Sequence, residues 1–392
     1  MITLFLQKAF PMTTLTPAAQ PCIQPCQEHS VPWFWPLAAA IELGEDGLAL
    51  FQKNLRYIET AAEIIAPPAS EWATANRIVL DLDTMLVRDF LVPGHSAAQT
   101  PVLIDAPYAG HSSTIADYSQ GQSLVETLQR NGLSHVVVTD WKSATAAMKD
   151  FDIDKYLADI NTVVDHLGGK VDLVGLCQGG WMSTMYAARF PGKVRTLVLA
   201  GAPIDTDAGD GAIKKLAHQL PLSLYEDMVR IGHGCMLGKI MLAGWKGMNS
   251  QEQYFDKFLE LYQHIEDKNY IRRTEKFERW YENPIDLPGT YYLQTIKEIF
   301  KENRLAKGQF VGLGQRLSLT DIVCPVYLLA GEEDDITTKE QVFDADKYLG
   351  TPPSDIVRKL ASGGHIGLFM GTKTLAECWP EIARWIALGG RH

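Results

Sequence analysis

Short apolar runs alternate along the chain with segments whose apolar positions recur at helical spacing. Val102–Ile104, His135–Thr139, Val171–Val174 and Val194–Leu199 are brief, mostly apolar and rich in Val, Ile and Leu, which predicts buried strands. Between them, Ser119–Asn131 predicts a helix stopped by Gly132, and Asp154–Leu167 a helix stopped by Gly168-Gly169. The alternation resumes late in the chain. Val326–Leu329 and Val357–Leu360 predict strands, and Thr338–Tyr348 and Ala376–Ala387 predict helices. Strands separated by helices imply right-handed crossovers and a mostly parallel sheet flanked by helices, an α/β class.

Two stretches depart from this order. Residues 207–318 are helical in character and dense in aromatics, among them Trp245, Tyr254, Trp280, Tyr281 and Tyr291. Because the α/β order returns afterwards, this stretch is expected to be a helical cap inserted over the site. At the other end, Leu37, Ile41, Leu48, Phe51, Leu55 and Ile58 fit a long helix over residues 36–65, ended by Pro67-Pro68. The expected organisation is an arm at 1–32, rich in Pro, Thr and Gln, then a first core segment at 33–206. The cap at 207–318 and a second core segment at 319–392 complete it.

Composition narrows the chemistry. The chain has 392 residues, 46% of them hydrophobic, enough for a large core. Its net charge of −11, with no Lys/Arg cluster, argues against nucleic acid as a partner. Six cysteines, none in a C-x-x-C pair, fit neither a zinc site nor a disulfide scaffold and point to a reducing, cytoplasmic setting. The first residues lack a basic n-region, so no signal peptide is expected, and no long uncharged apolar run predicts a membrane span. No Walker loop or dinucleotide fingerprint occurs, and no cofactor or metal is expected.

The candidate chemistry centres on Val174-Gly175-Leu176-Cys177-Gln178-Gly179-Gly180. A strand, a Gly-x-nucleophile-x-Gly turn and a helix form a nucleophile elbow, here with cysteine as the nucleophile. Such a thiol needs a histidine to take its proton and a carboxylate to orient that histidine, in the chain order nucleophile, acid, histidine. Asp334, three residues past Gly331 at the end of a strand, is the expected acid in preference to Asp335. His365, in Gly363-Gly364-His365-Ile366-Gly367, is the expected histidine, with His111 the runner-up. Backbone amides should hold the oxyanion: that of Gln178, and one from Asp105–His111, with Tyr108 and Ala109 both open. His111, Trp181 and Trp245 are candidate substrate-binding residues.

Several segments carry a family resemblance. Ala106-Pro107-Tyr108-Ala109-Gly110-His111, Thr139-Asp140-Trp141, Cys177-Gln178, Gly201-Ala202-Pro203-Ile204-Asp205, Gly331–Ile336 and Gly364–Gly371 occur in order. Together they resemble the intracellular polyhydroxybutyrate depolymerases, related to the polyhydroxyalkanoate synthases. The resemblance implies an α/β-hydrolase fold, a Cys-His-Asp triad at Cys177, Asp334 and His365, and a 3-hydroxyacyl ester substrate. Two features are mixed. Depolymerases have Pro after Cys-Gln, whereas Gly179-Gly180 is the synthase-like form; synthases have Asp-His where this chain has Asp334-Asp335.

The leading expectation is an ester hydrolase acting on poly- or oligo-3-hydroxyalkanoates. The alternatives are a synthase-like acyltransferase using 3-hydroxyacyl-CoA, and a non-catalytic granule-associated protein. Expected partners are a polyester granule, a hydroxyacyl oligomer or a thioester, with a second copy of the chain as candidate assembly partner. The expected location is the cytoplasm, at the polymer granule surface.

Overall fold

A computed structural model describes residues 67–92, 100–248 and 257–391, with isolated positions at 53, 56, 57, 60 and 61. The expected arm, most of the expected 36–65 helix and the Trp245 side chain lie outside the described residues. Residues 59–392 form a compact unit separate from 1–58, and everything below concerns the larger unit.

Its centre is an eight-stranded sheet: β1 (Arg77–Asp81), β2 (Met85–Asp89), β3 (Val102–Asp105), β4 (Val136–Trp141), β5 (Val171–Leu176), β6 (Val194–Ala200), β7 (Val326–Gly331) and β8 (Ile356–Ala361). The spatial order is β1-β2-β4-β3-β5-β6-β7-β8. β2 runs antiparallel to both neighbours, and the pairs from β4 to β8 are parallel. This order with one reversed strand is the α/β-hydrolase fold. β3, β5 and β7 are buried at every position, which is why they read as mostly apolar runs, with Asp105 and Asp172 the buried charged exceptions.

The expected strands are present, each one or two residues longer or shifted at an end. The hairpin β1–β2 was not foreseen. Its one sequence signal is the period-two pattern of β2, where Met85, Val87 and Asp89 are buried and Leu86 and Arg88 half-buried.

Three expected helices need correction. Ser119–Gln122 forms a tight turn, with Ser119 and Gln122 exchanging backbone hydrogen bonds. The helix starts at Leu124 because the Ser123 side chain accepts from the Glu126 amide and caps it there. The span 338–348 is an α-helix only over Lys339–Phe343 and a 3₁₀ turn over Asp344–Lys347. Pro380 breaks the last helix: it has no N–H to give, so Thr372–Glu377 and Trp379–Ala387 are separate helices.

Between β6 and β7, helices run from Ala212 to Gln294 and continue as a π-helical turn over Thr295–Lys301. The stretch is not wholly helical. Cys235–Met236 pairs with Leu287–Pro288, and a small hairpin joins Val311–Gly312 to Gln315–Arg316.

Candidate active site

The turn after β5 is built by close backbone approach. Cys177 sits at φ 51°, ψ −116°, in the left-handed half of the map that side chains avoid. A Cβ on Gly179 would lie 2.1 Å from the Asp105 carbonyl oxygen, and one on Gly175 would lie 2.5 Å from the Gly180 Cα. Only glycine fits either place. The helix Gln178–Arg189 begins directly after Cys177, and Ser183 within it donates to the Asp105 carboxyl at 3.0 Å. That tie holds the elbow helix to the end of β3.

Asp334 and His365 come from the loops after β7 and β8. Those loops are joined by backbone bonds from the Glu332 amide to the Ala361 carbonyl (2.8 Å) and from the Glu333 amide to the Gly363 carbonyl (3.2 Å). Gly363 lies at φ 105°. One Asp334 carboxylate oxygen accepts from the Ile336 and Thr337 amides at 3.1 and 2.9 Å. The other meets His365 Nδ1 at 2.7 Å, with both side chains buried. Asp335 is exposed and makes no such contact. The loop therefore separates the two neighbours by the direction each side chain takes.

Cys177 and His365 line the same cavity, and the thiol acts on the imidazole through charge and hydrogen bonding. Burial of the imidazole is the strongest single influence on it and disfavours its charged form. Cys177 and Asp334, through charge and hydrogen bonds, together outweigh burial and hold the His365 pKa well above its ordinary value. Phe369 meets the ring edge-on at 5.3 Å, and Gly201 leaves room for it. The His365–Asp334 pair thus stands at the wall of a cavity that the half-buried Cys177 thiol also lines.

The loop after β3 reaches the same place. Trp141 Nε1 donates to the Ala106 carbonyl at 2.8 Å, and the Ala106 amide donates to Thr139 Oγ1 at 3.0 Å. Tyr108 is fully buried among Trp141, Tyr156 and Tyr291, its ring 5.1 to 5.5 Å from theirs. Each such pair is worth about 0.5–1.5 kcal/mol, so this cluster clamps the loop. The Tyr108 side chain therefore faces away from the site, whereas Ala109 lines it.

Two cavities meet at Cys177. The larger, about 650 Å³, is lined by His111, Lys215, Trp280, Asp335 and His365 among others. The smaller, about 250 Å³, is almost wholly apolar and includes Trp181, Met228, Tyr292 and Phe300. Ala109, Cys177, Leu216 and Ile336 belong to both. Trp181 is fully buried, so it forms the wall of the smaller cavity beneath Tyr291. Sequence reasoning missed this division, and it missed Leu216 at the junction. The amphipathic helix Ala212–Gln219 was the available signal.

The chain is similar to several known proteins. The family described as PHB de-polymerase C-terminus matches residues 201–388, a span that includes Asp334 and His365. The poly(3-hydroxyalkanoate) polymerase subunit PhaC of Haloferax mediterranei is 26% identical over 73% of the chain, and that of Haloarcula marismortui 27% over 75%. The chain spans only 57% and 62% of those two proteins. The corresponding subunit of Allochromatium vinosum is 27% identical over 72% of the chain and 78% of its own length. Solved structures include a Paleococcus ferrophilus monoacylglycerol lipase, at TM-score 0.48 and 18% identity over 78% of this chain and 99% of that one. Mouse alpha/beta hydrolase domain-containing protein 10 has TM-score 0.48 and 15% identity, over 80% and 99%. By its strand order the chain is an α/β-hydrolase-fold protein, and its sequence is similar to the PHB de-polymerase C-terminus family and to poly(3-hydroxyalkanoate) polymerase subunits.

Proposed function

We propose that the chain is a thiol-dependent acyltransferase for 3-hydroxyacyl groups, of the polyhydroxyalkanoate polymerase type. The observation that carries this reading is a cysteine in the elbow, engaged with a buried His365–Asp334 pair, in a chain whose curated relatives are poly(3-hydroxyalkanoate) polymerases. Gly179-Gly180 after Cys-Gln supports it as well.

The steps follow from the arrangement. Cys177 Sγ attacks the carbonyl carbon of the acyl thioester, and its proton passes to His365 Nε2, since Nδ1 is engaged by Asp334. The oxyanion is held by the Gln178 amide and by an amide of the β3 loop, for which Ala109 is the better candidate because it borders both cavities. The C–S bond to the leaving thiol breaks, and that thiol takes the proton from His365. In the second half, a hydroxyl of the growing chain gives its proton to His365 and attacks the Cys177 thioester. The new ester leaves, and Cys177 regains the proton.

The two cavities suit such an exchange. The smaller takes the apolar alkyl end of the acyl group, and the larger, with His111 and Lys215 at its wall, takes the polar 3-hydroxyl side together with the leaving thiol and the incoming hydroxyl. The helices between β6 and β7 contribute Leu216, Trp280 and Phe300 to these walls, which supports their role as a cap. Location in the cytoplasm at a polymer surface is part of the same reading.

Hydrolysis is the second reading. The depolymerase match over residues 201–388 and the Asp334-Asp335 pair favour it, and it differs only in water replacing the hydroxyl. Incubation with 3-hydroxybutyryl-CoA, and separately with amorphous polymer, followed by mass analysis, tests both. Transfer predicts CoA release with oligomers on the enzyme. Free 3-hydroxybutyrate from polymer, without oligomers, would instead establish the hydrolase.

A further inference from the structure

His111 lines the larger cavity together with Cys177 and His365, yet it has no part in the proton relay. Its ring is stacked on Trp280 (centroids 4.6 Å apart, planes 27°) and on Tyr281 (5.3 Å, 15°), which fixes its plane. Trp280 is held in turn by its Nε1 donating to the Ser112 carbonyl at 2.9 Å. His111 Nε2 lies 3.2 Å from the Tyr281 carbonyl oxygen. A carbonyl oxygen can only accept, so Nε2 carries the hydrogen.

Burial lowers the His111 pKa to about 4, against smaller opposing effects of the Tyr281 carbonyl and Glu282, so the ring is neutral at physiological pH. A neutral imidazole with its hydrogen on Nε2 presents Nδ1 as an acceptor. Nδ1 has no protein partner among the described residues, and it is not among the sealed polar atoms. The larger cavity is therefore furnished with one rigid acceptor of fixed orientation. Such a group favours a ligand that brings a donor and discriminates against the same ligand without one.

Resting on the acyl-ester reading of the site, we propose that His111 is a specificity-determining residue, its Nδ1 accepting the hydrogen bond of the substrate's 3-hydroxyl. The donor is the alcohol O–H. No bond is made or broken at His111.

The test is equilibrium binding to Cys177→Ala protein, which cannot turn the ligands over. Calorimetry compares 3-hydroxybutyryl-CoA with butyryl-CoA, which differ only in the hydroxyl. With His111 present, the hydroxylated ligand should bind about five- to tenfold more tightly, as expected for one neutral hydrogen bond. Adding His111→Phe, which keeps a ring for stacking but has no acceptor, should erase the preference, bringing the two ligands to within about twofold of each other. Adding His111→Asn, whose Oδ1 can occupy the Nδ1 position, should restore part of it and serves if the Phe variant folds poorly. Absence of any preference in the Cys177→Ala protein, or a preference that survives His111→Phe, overturns the proposal. If the preference follows His111 while wild-type enzyme releases no CoA, the transfer reading fails and the hydroxyl assignment stands.

Discussion

Replacing Asp334 with Asn changes one atom at the centre of the relay. The amide oxygen can still accept from the Ile336 and Thr337 amides, so the loop should keep its shape. The new NH2 would then face His365 Nδ1, where the carboxylate oxygen stood at 2.7 Å. Two donors cannot pair, so the imidazole must move its hydrogen to Nε2, the nitrogen that faces Cys177. In that tautomer it cannot take the thiol proton. The carboxylate's attraction to an imidazolium is also lost. With an effective dielectric of about 20, unit charges 4 Å apart interact by about 4 kcal/mol, and at a separation near that of the hydrogen bond by about 6 kcal/mol. These figures correspond to a fall in rate of roughly 10³- to 3 × 10⁴-fold at 1.36 kcal/mol per decade. Asp335→Asn removes an exposed charge and should change the rate by less than about threefold. The assay is single-turnover acylation of Cys177 by 3-hydroxybutyryl-CoA, with the acyl-enzyme counted by intact-protein mass spectrometry. Equal losses in the two variants, or an Asp334→Asn rate above about a tenth of wild type, would refute the reasoning.

Three further outcomes are expected. Cys177→Ala should abolish the acyl-enzyme adduct at unchanged melting temperature, and iodoacetamide should alkylate Cys177 before Cys324, whose thiol burial pushes up to about 12; early modification of Cys324 or of buried Cys235 contradicts the assignment. The His365–Asp334 pair should give a pH-dependent stability. Because the folded pKa of His365 is raised, its contribution is complete below the unfolded value of about 6.5 and is lost as pH rises through the folded value. The melting-temperature gap between wild type and Asp334→Asn should therefore be larger at pH 6 than at pH 10, and a gap that widens with pH contradicts this. Gly179→Ala forces a Cβ to within 2.1 Å of a backbone oxygen and should cost about 1–3 kcal/mol or more in urea unfolding; a neutral result would mean that the elbow is looser than described.

Local chemistry explains why so much of this was legible in the chain. β5 and the elbow could be read because a fully buried parallel strand is mostly apolar, Asp172 being the one charged residue of β5, and because Gly175 and Gly179 stand where no Cβ fits. Asp334 and His365 could be singled out as candidates because chain order and the strand ends of an α/β sheet limit where an acid and a histidine can stand. Asp334 was separable from Asp335 by its offset from Gly331.

What the sequence could not supply depends on contacts between segments distant in the chain. β1 escaped notice because it is half-exposed and without clear alternation, and its place beside β2 follows from pairing alone. The helix starts at Leu124 because Ser123 caps it and Gly121, at φ 76°, turns the chain just before it. His111 became an acceptor of fixed orientation only when Tyr281, 170 positions away, brought its carbonyl to Nε2. The two cavities exist because Leu216 and Trp280, far from the elbow in sequence, are folded over Cys177. Periodicity and turn chemistry are local and survive in a linear text. The tautomer of a ring and the shape of a cavity are set by which atoms the fold brings together, and only the tertiary structure decided them.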